Sequence, residues 1–394
     1  MSPSTASATA SGVQAVAIDT PASLARRIVF VVALALAGIA WRYLAVRLAG
    51  KGDGVLAFID AHCVWDCLSY TSVIERGYDL EIGAFGQPER ANWAFFPLYP
   101  LLASIPVKLF GLSPAASGFL ISNLFICLAA VFSRPLLGSE RAYRFFVATL
   151  MVGPFSVLFS SLYTESLFIL LTVLSIVALR NGSYLKAGGW IALLSATRIT
   201  GVLMVFGMLA QVVADHRKAG GAWIALPRRV LSDGNLILAF LIAPLGLFAY
   251  MAFLHGLTGD ALAFSHIQRS WGRGFDQPLA AIGEALGDGL VPEYYVLLQQ
   301  AWAVAGIIGL ALSAVLALRG RLAEATFCLL CLLASLSSGI GSMVRFTAGL
   351  APIGMIASEL LARWRWLAWV AFAAAMALDA AVSLGWYNQS MFVM

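Results

Sequence analysis

Charge is what this chain has least of. Only 11% of its 394 residues are Asp, Glu, Lys or Arg, while 61% are apolar. A soluble domain carries about 25% charged residues, so this composition excludes a water-soluble globular protein. The mean hydropathy of +0.87 points the same way. Cysteine is also scarce: five residues with no pair of CxxC sites exclude a structural zinc module and a dense disulfide framework. No polar stretch reaches 50 residues, which excludes a large soluble domain, and no internal repeat suggests a two-halved transporter. The net charge of +5 fits basic loops at a cytoplasmic face better than a nucleic-acid partner.

What remains is a polytopic, all-α membrane protein. Residues 1–24 are rich in Ser, Thr and Ala with Asp19 as their one charge, and read as a disordered lead-in; 25–394 form one integral membrane domain. Arg26 and Arg27 precede the first apolar run, which continues through Arg42 and Arg47, both expected to snorkel to an interface. Further windows are Leu109 to Ser133, Phe145 to Leu179 with a turn near Ser160 to Glu165, Ala187 to Ala214 interrupted by Arg198, and Leu236 to Leu254. Ala301 to Leu318, Phe327 to Val344, Phe346 to Leu361 and Trp366 to Gly385 follow. A span needs about 20 residues, and several windows fall short, so the sequence predicts about 10–11 helices, some tilted, short or broken.

Loop charge tests this layout. With the N-terminus inside, the loops around 134–144, 180–186, 215–229, 319–321 and 363–365 are all inside and all net basic, as the positive-inside rule requires. The two long outer loops are acidic: residues 50–95 hold three basic and seven acidic side chains, and 256–296 hold two and five. Loops of this length are more often functional than idle.

The chemistry-bearing residues gather on that outer side. Asp66 to Arg76 patterns as a short interfacial helix with Tyr70 at headgroup depth, and Asp66 starts it, where free backbone N–H groups favour a carboxylate. Asp66 is either a plain helix cap or a working carboxylate, and Asp60, six residues upstream, competes for the second role. Trp93 to Leu102, with its aromatics and two prolines, predicts a rigid re-entrant or interfacial turn. Glu165, Arg198 and Arg345 each interrupt apolar windows at the same predicted face. A charge there is expensive unless it has a partner or a cavity. The two arginines either bind an anionic phosphate or pair with Glu165, Asp60 or Asp66. In the second outer loop His266, Gln268, Arg269, Trp271 and Arg273 combine donors with an aromatic face, a composition suited to sugar or phosphate, or to an ordinary interfacial loop. Asp379, inside the last span, reads as a structural partner for another helix, and Cys63 and Cys67 as free thiols.

In order, the motifs are Trp65-Asp66 with Tyr70 and Gly77-Tyr78; the string Ala94 to Pro100, AFFPLYP; Tyr163-Thr164-Glu165-Ser166; Thr197-Arg198 with Gly201; the QxxWGR stretch within Phe264 to Arg273; and Arg345-Phe346. Together they resemble the PIG-V-like mannosyltransferases, within the GT-C class of membrane glycosyltransferases. The matches run from about residue 60 to 352, and depart from the pattern at Cys67-Leu68-Ser69, where a more polar or aromatic run is usual.

The resemblance implies an inverting transfer of a sugar, mannose by the family's habit, from a polyprenyl-phosphate donor to a lipid-linked or cell-envelope glycan acceptor. It implies Asp66 as general base and Arg198, Arg345 and Arg269 as donor-phosphate ligands. Glu165, Asp60, Tyr70, His266, Gln268, Trp271 and Arg273 would hold or orient sugar or acceptor. No metal and no cofactor is needed beyond the lipid-linked donor, and neither outer loop contains an Asp-x-Asp pair. The partners expected are membrane lipids, the polyprenyl-phosphate-mannose donor and the acceptor, not nucleic acid. The expected location is a bacterial inner membrane with the site facing the periplasm. A lipid or glycolipid flippase, and a non-catalytic assembly protein of the same fold, are the competing readings. The first would place its polar groups through the membrane interior rather than at one face.

Overall fold

The computed structural model describes residues 20–50, 54–83, 89–274, 277–287 and 293–389, the side chains of 293–295 aside. Every regular element among them is helical. The first, α1 (Pro21–Leu48), starts on a Thr20 cap with Pro21 at its first position, so Pro21 to Leu24 leave the expected lead-in; residues 1–19 lie outside the described residues. Then come α2 (Val55–Asp60) and α3 (Asp66–Arg76), the second with the bounds the sequence pattern predicts.

The AFFPLYP string forms a short turn and the first residues of α4 (Leu98–Phe110), followed by α5 (Pro114–Ser133). The window from 145 to 179 is broken where expected: α6 (Glu140–Val152), the single turn α7 (Ser156–Ser160), and α8 (Glu165–Arg180). The window from 187 to 214 breaks too, into α9 (Tyr184–Ser195) and α10 (Met204–Lys218), joined by an extended Arg198 and a 3-10 turn at Ile199–Leu203. Gly201 in that turn lies so close to the end of α9 that a Cβ would sit 2.2 Å from the Leu194 carbonyl oxygen.

After α11 (Leu226–Ser232), one span is divided at Pro244 into α12 (Gly234–Ile242) and α13 (Leu245–Thr258). The second outer loop holds α14 (Ala263–His266) and α15 (Pro278–Leu286). The chain closes with α16 (Glu293–Leu318), α17 (Leu322–Ser337), α18 (Met343–Ala348), α19 (Ala351–Leu361) and α20 (Arg365–Tyr387). Among the described residues six segments are long and apolar enough to cross a membrane: Pro21–Leu48, Pro114–Leu136, Ile199–Lys218, Gly234–Thr258, Val296–Leu318 and Arg365–Tyr387. Of the other expected spans α17 and α19 are short helices, and a third short apolar helix, α4, begins at Leu98, inside the stretch where the sequence predicts a turn, because Pro97 and Pro100 fall at its start, where a proline fits a helix.

At the centre lies α8, buried along nearly its whole length and packed on α5 and α9. It connects two polar ends. At its last turn Arg180 pairs with Glu324, which also takes Arg321 at 3.2 Å, while Glu359 takes Arg321 at 3.3 Å and Arg319 at 2.9 Å. At its first turn sits Glu165.

Irregular backbone at membrane depth survives only where its polar groups find partners inside the protein. The break before α8 meets this condition: the Ser161 carbonyl accepts from Ser122 Oγ at 2.8 Å, and the Tyr163 N–H donates to Tyr99 Oη at 3.1 Å.

Two expectations fail here. Arg42 does not snorkel: it is 1% exposed and points inward, donating to the Met151 carbonyl, Ser156 Oγ and Ser160 Oγ. The reason lies one turn back, at Gly38, where a Cβ would meet the Met151 carbonyl oxygen at 2.0 Å; its absence lets α6 close on α1 and offer Arg42 acceptors. Cys63 and Cys67 are not free thiols but a disulfide with Cα atoms 5.1 Å apart. They do not lie four apart on one helix, because α3 starts only at Asp66 and Trp65 turns the chain with φ +59°. That turn brings Cys63 back over the start of the helix.

Candidate active site

Four ionic side chains converge at the N-terminal end of α8. Glu165 opens that helix and is fully buried. Its Oε1 accepts Arg345 Nε at 2.5 Å and Arg198 Nη1 at 3.1 Å. From α18, Arg345 also reaches Asp66 Oδ2 with Nη1 at 2.6 Å, joining residues 279 positions apart in the chain. Arg198 comes from the extended link after α9 and lies 5.6 and 5.4 Å from the ring centroids of Phe168 and Phe346. These charges neutralise one another two by two, the arrangement that makes a buried charge tolerable.

Asp66 is fixed on its other side by Tyr163. The Asp66 N–H donates to Tyr163 Oη at 3.1 Å, the same hydroxyl donates to the Val64 carbonyl at 2.8 Å, and the Arg345 guanidinium lies 4.8 Å from the Tyr163 ring centre. Asp66 Oδ1 carries no hydrogen bond among the described residues, and the side chain is 28% exposed.

Beside the cluster opens a cavity of about 740 Å³. Among the described residues Asp66 is the only carboxylate in its lining, which includes four arginines: Arg198, Arg269, Arg273 and Arg345. Arg269 is exposed and has no ion pair among the described residues. Arg273 donates to Gln268 Oε1 at 3.3 Å and lies 5.6 Å from the Phe346 ring centroid. Burial lowers the Arg273 pKa, with the Asp66 charge opposing that shift; guanidinium's high ordinary pKa keeps it a cation. With Arg198 and Arg345 already matched by Glu165 and Asp66, the charge of the cavity left uncompensated among the described residues belongs to Arg269 and Arg273.

Aromatic and apolar groups complete the walls. Phe95 stands edge-on to Tyr70 at 4.9 Å and to Trp271 at 6.2 Å, and Ile199, Val202, Leu203 and Leu247 extend the lining towards the lipid-facing side of α10 and α13. Ile199 and Phe206 are exposed there. At the rim, His266 Nδ1 lies 2.6 Å from Asp260 Oδ2, and that bond, with the Leu262 N–H, holds the Asp260 carboxyl below its ordinary range.

Of the residues singled out from sequence, Asp66, Tyr70, Arg198, His266, Gln268, Arg269, Trp271, Arg273 and Arg345 line one cavity, and Glu165 sits directly behind it. Asp60 does not join them: it is exposed at the end of α2. Sequence reasoning missed Tyr163 as the group that holds Asp66, although its string contained it. It also missed the cavity hydroxyls of Thr164 and Thr197, although both stand in its strings, because a threonine beside a charged residue carries no signal of its own. No cluster of three or more His, Cys, Asp or Glu side chains occurs among the described residues.

No protein-family model and no curated protein matches the chain. Solved structures do. ArnT from Cupriavidus metallidurans, bound to undecaprenyl phosphate, superposes with a TM-score of 0.51 over 89% of this chain and 63% of ArnT, at 14% identity. The fold is the GT-C helical bundle. The archaeal oligosaccharyltransferase AglB from Archaeoglobus fulgidus, in complex with an inhibitory peptide and a dolichol-phosphate, gives 0.42 over 92% of this chain and 56% of AglB, again at 14% identity. The chain therefore spans less than two thirds of either protein.

Proposed function

We propose that this chain is a GT-C glycosyltransferase that moves a sugar from a polyprenyl-phosphate donor to a lipid-linked or envelope acceptor. Mannose is the sugar its motif resemblance to the PIG-V-like family favours. The observation that carries the reading is the charge layout of the cavity: one carboxylate with an open oxygen, facing two arginines that no carboxylate among the described residues neutralises.

The layout fits the reaction step by step. Asp66 Oδ1 takes the proton of the acceptor hydroxyl, whose oxygen attacks the anomeric carbon as the bond from that carbon to the phosphate oxygen breaks. The electron pair leaves with the lipid phosphate, and attack from the opposite face inverts the anomeric centre. A phosphodiester with one negative charge becomes a monoester approaching two. Arg269 and Arg273 stabilise the charge that appears, and so lower the barrier more than they tighten donor binding. Arg345 and Glu165 hold Asp66 in place. The undecaprenyl phosphate bound in ArnT is a polyprenyl phosphate, the chemical class of the lipid that leaves in this step, and the apolar wall from Ile199 to Leu247 gives a tail a lateral route out of the cavity.

The disulfide supports the outer, periplasmic side for this chemistry, since it brackets Asp66 and disulfides persist in oxidising compartments. So does the basic character of the loops at the opposite end of the bundle.

The test is transfer by purified protein from labelled polyprenyl-phosphate-mannose to an envelope-lipid extract, with Asp66→Asn in parallel and donor binding measured for both. Loss of about a hundredfold or more in the variant with donor affinity kept is expected for removal of a general base. Undiminished transfer by Asp66→Asn refutes the base. Donor binding by wild type with labelled lipid carried across vesicles and no transfer refutes the enzyme.

A further inference from the structure

Arg42 and Asp379 are buried charges that the reaction above does not use, and both lie in membrane-crossing helices. Charge in that position is retained when it serves a function. They meet at α7: Arg42 Nη1 donates to Ser156 Oγ at 2.7 Å, Ser156 Oγ donates to Asp379 Oδ1 at 2.8 Å, and Arg42 Nη2 donates to Ser160 Oγ at 2.8 Å. Ser160 Oγ also reaches Asn123 Oδ1 of α5 at 3.2 Å.

A five-residue helix has no stability of its own. The position of α7 is therefore set by its surroundings: Val157, Leu158 and Phe159 pack into the core, and the polar side chains from α1, α5 and α20 fix its two serines. Directly after it the chain passes through Ser161 to Tyr163, held by Ser122 and Tyr99, and Tyr163 holds the backbone of Val64 and Asp66.

We infer that Arg42 and Asp379 are positioning residues for Asp66, acting through Ser156 and Ser160 of α7 and the hydroxyl of Tyr163. The role rests on the reading of Asp66 as the base, but the placement itself can be tested without any substrate. Removing the anchors lets α7 and the 161–165 segment shift; Tyr163 then loosens its grip, and the carboxylate drifts from the acceptor hydroxyl. A misplacement of about 1 Å at a reacting group costs up to about a hundredfold in rate.

The experiment compares wild type with Arg42→Met/Asp379→Asn, which removes both charges at similar volume and is expected to fold. Ser160→Ala and Tyr163→Phe are its milder companions. Amide hydrogen exchange of the peptide containing Val64 to Asp66 should accelerate about tenfold in the double variant and in Tyr163→Phe, and less in Ser160→Ala. In the transfer assay kcat should fall about tenfold or more while the donor KM stays within about twofold.

A folded double variant with wild-type exchange and wild-type kcat overturns the inference and leaves the pair a brace. If the double variant does not fold, Ser160→Ala decides: unchanged exchange overturns the inference, faster exchange supports it. If wild type transfers no sugar, the functional reading falls, and the exchange measurement still decides whether these residues place Asp66.

Discussion

Glu165→Gln removes one charge and leaves the shape almost unchanged, so it isolates what that carboxylate contributes. Glu165 is fully buried and serves two guanidinium groups, at 2.5 and 3.1 Å. After the change Arg345 keeps Asp66, but Arg198 loses its one carboxylate among the described residues while still 80% covered, its side chain being 20% exposed. Orphaning one member of a buried pair costs about 3–5 kcal/mol. The Phe168 and Phe346 rings against Arg198 offset part of this, which puts the expected loss near 3 kcal/mol.

The assay is equilibrium unfolding by SDS in mixed micelles, followed by helicity and tryptophan fluorescence, run as a cycle with Arg198→Met and the double variant. If Arg198 is the orphan that matters, removing it as well should return about 1 kcal/mol or more of the loss. A Glu165→Gln protein within about 0.5 kcal/mol of wild type, or a cycle that is simply additive, refutes the claim that buried charge pairing holds this site together.

Arg273→Gln should weaken binding of polyprenyl phosphate by roughly ten- to a hundredfold, the worth of one charge-assisted hydrogen bond, with a larger effect on that product than on the donor diester. Equal loss for both ligands argues against a role in leaving-group stabilisation. His62, buried beneath the Asp66 turn, has its pKa pushed down to about 3, first by burial and then by the charge of Arg42. Its lowered value means that the unfolded chain takes up a proton below about pH 6.5 that the folded chain refuses. Its contribution is complete above that pH and falls by about 2 kcal/mol between pH 6.5 and 5; His62→Gln should flatten stability over that interval by about one proton, and an unchanged slope contradicts the assignment. Under denaturing conditions without reductant, maleimide should label only three thiols, Cys127, Cys328 and Cys331, rising to five after reduction; five from the start rules out the disulfide.

The membrane class, the helical breaks and the sided distribution of charge were legible in the sequence because each depends on local composition. A break near Ser160 to Glu165 follows from polar residues between apolar runs, and α3 follows from its amphipathic spacing and from Asp66 at its start. Candidate site residues were legible as polar groups that a membrane does not tolerate without a reason.

Their pairing was not. Whether Arg198 and Arg345 face a ligand or a carboxylate depends on which helices meet, and only tertiary structure put both on Glu165 and left Arg269 and Arg273 without a carboxylate among the described residues. Asp60 and Asp66 look alike in sequence; the Trp65 turn and the Tyr163 hydroxyl turn one into the cavity and leave the other in solvent. The same holds for Arg42, outward by the logic of an isolated helix and inward because Gly38 lets α6 approach, and for the two cysteines, joined only because the chain reverses between them. Burial and periodicity are properties of a segment, whereas a charge pair is a property of two segments that meet in space, and a chain of 394 residues allows many such meetings.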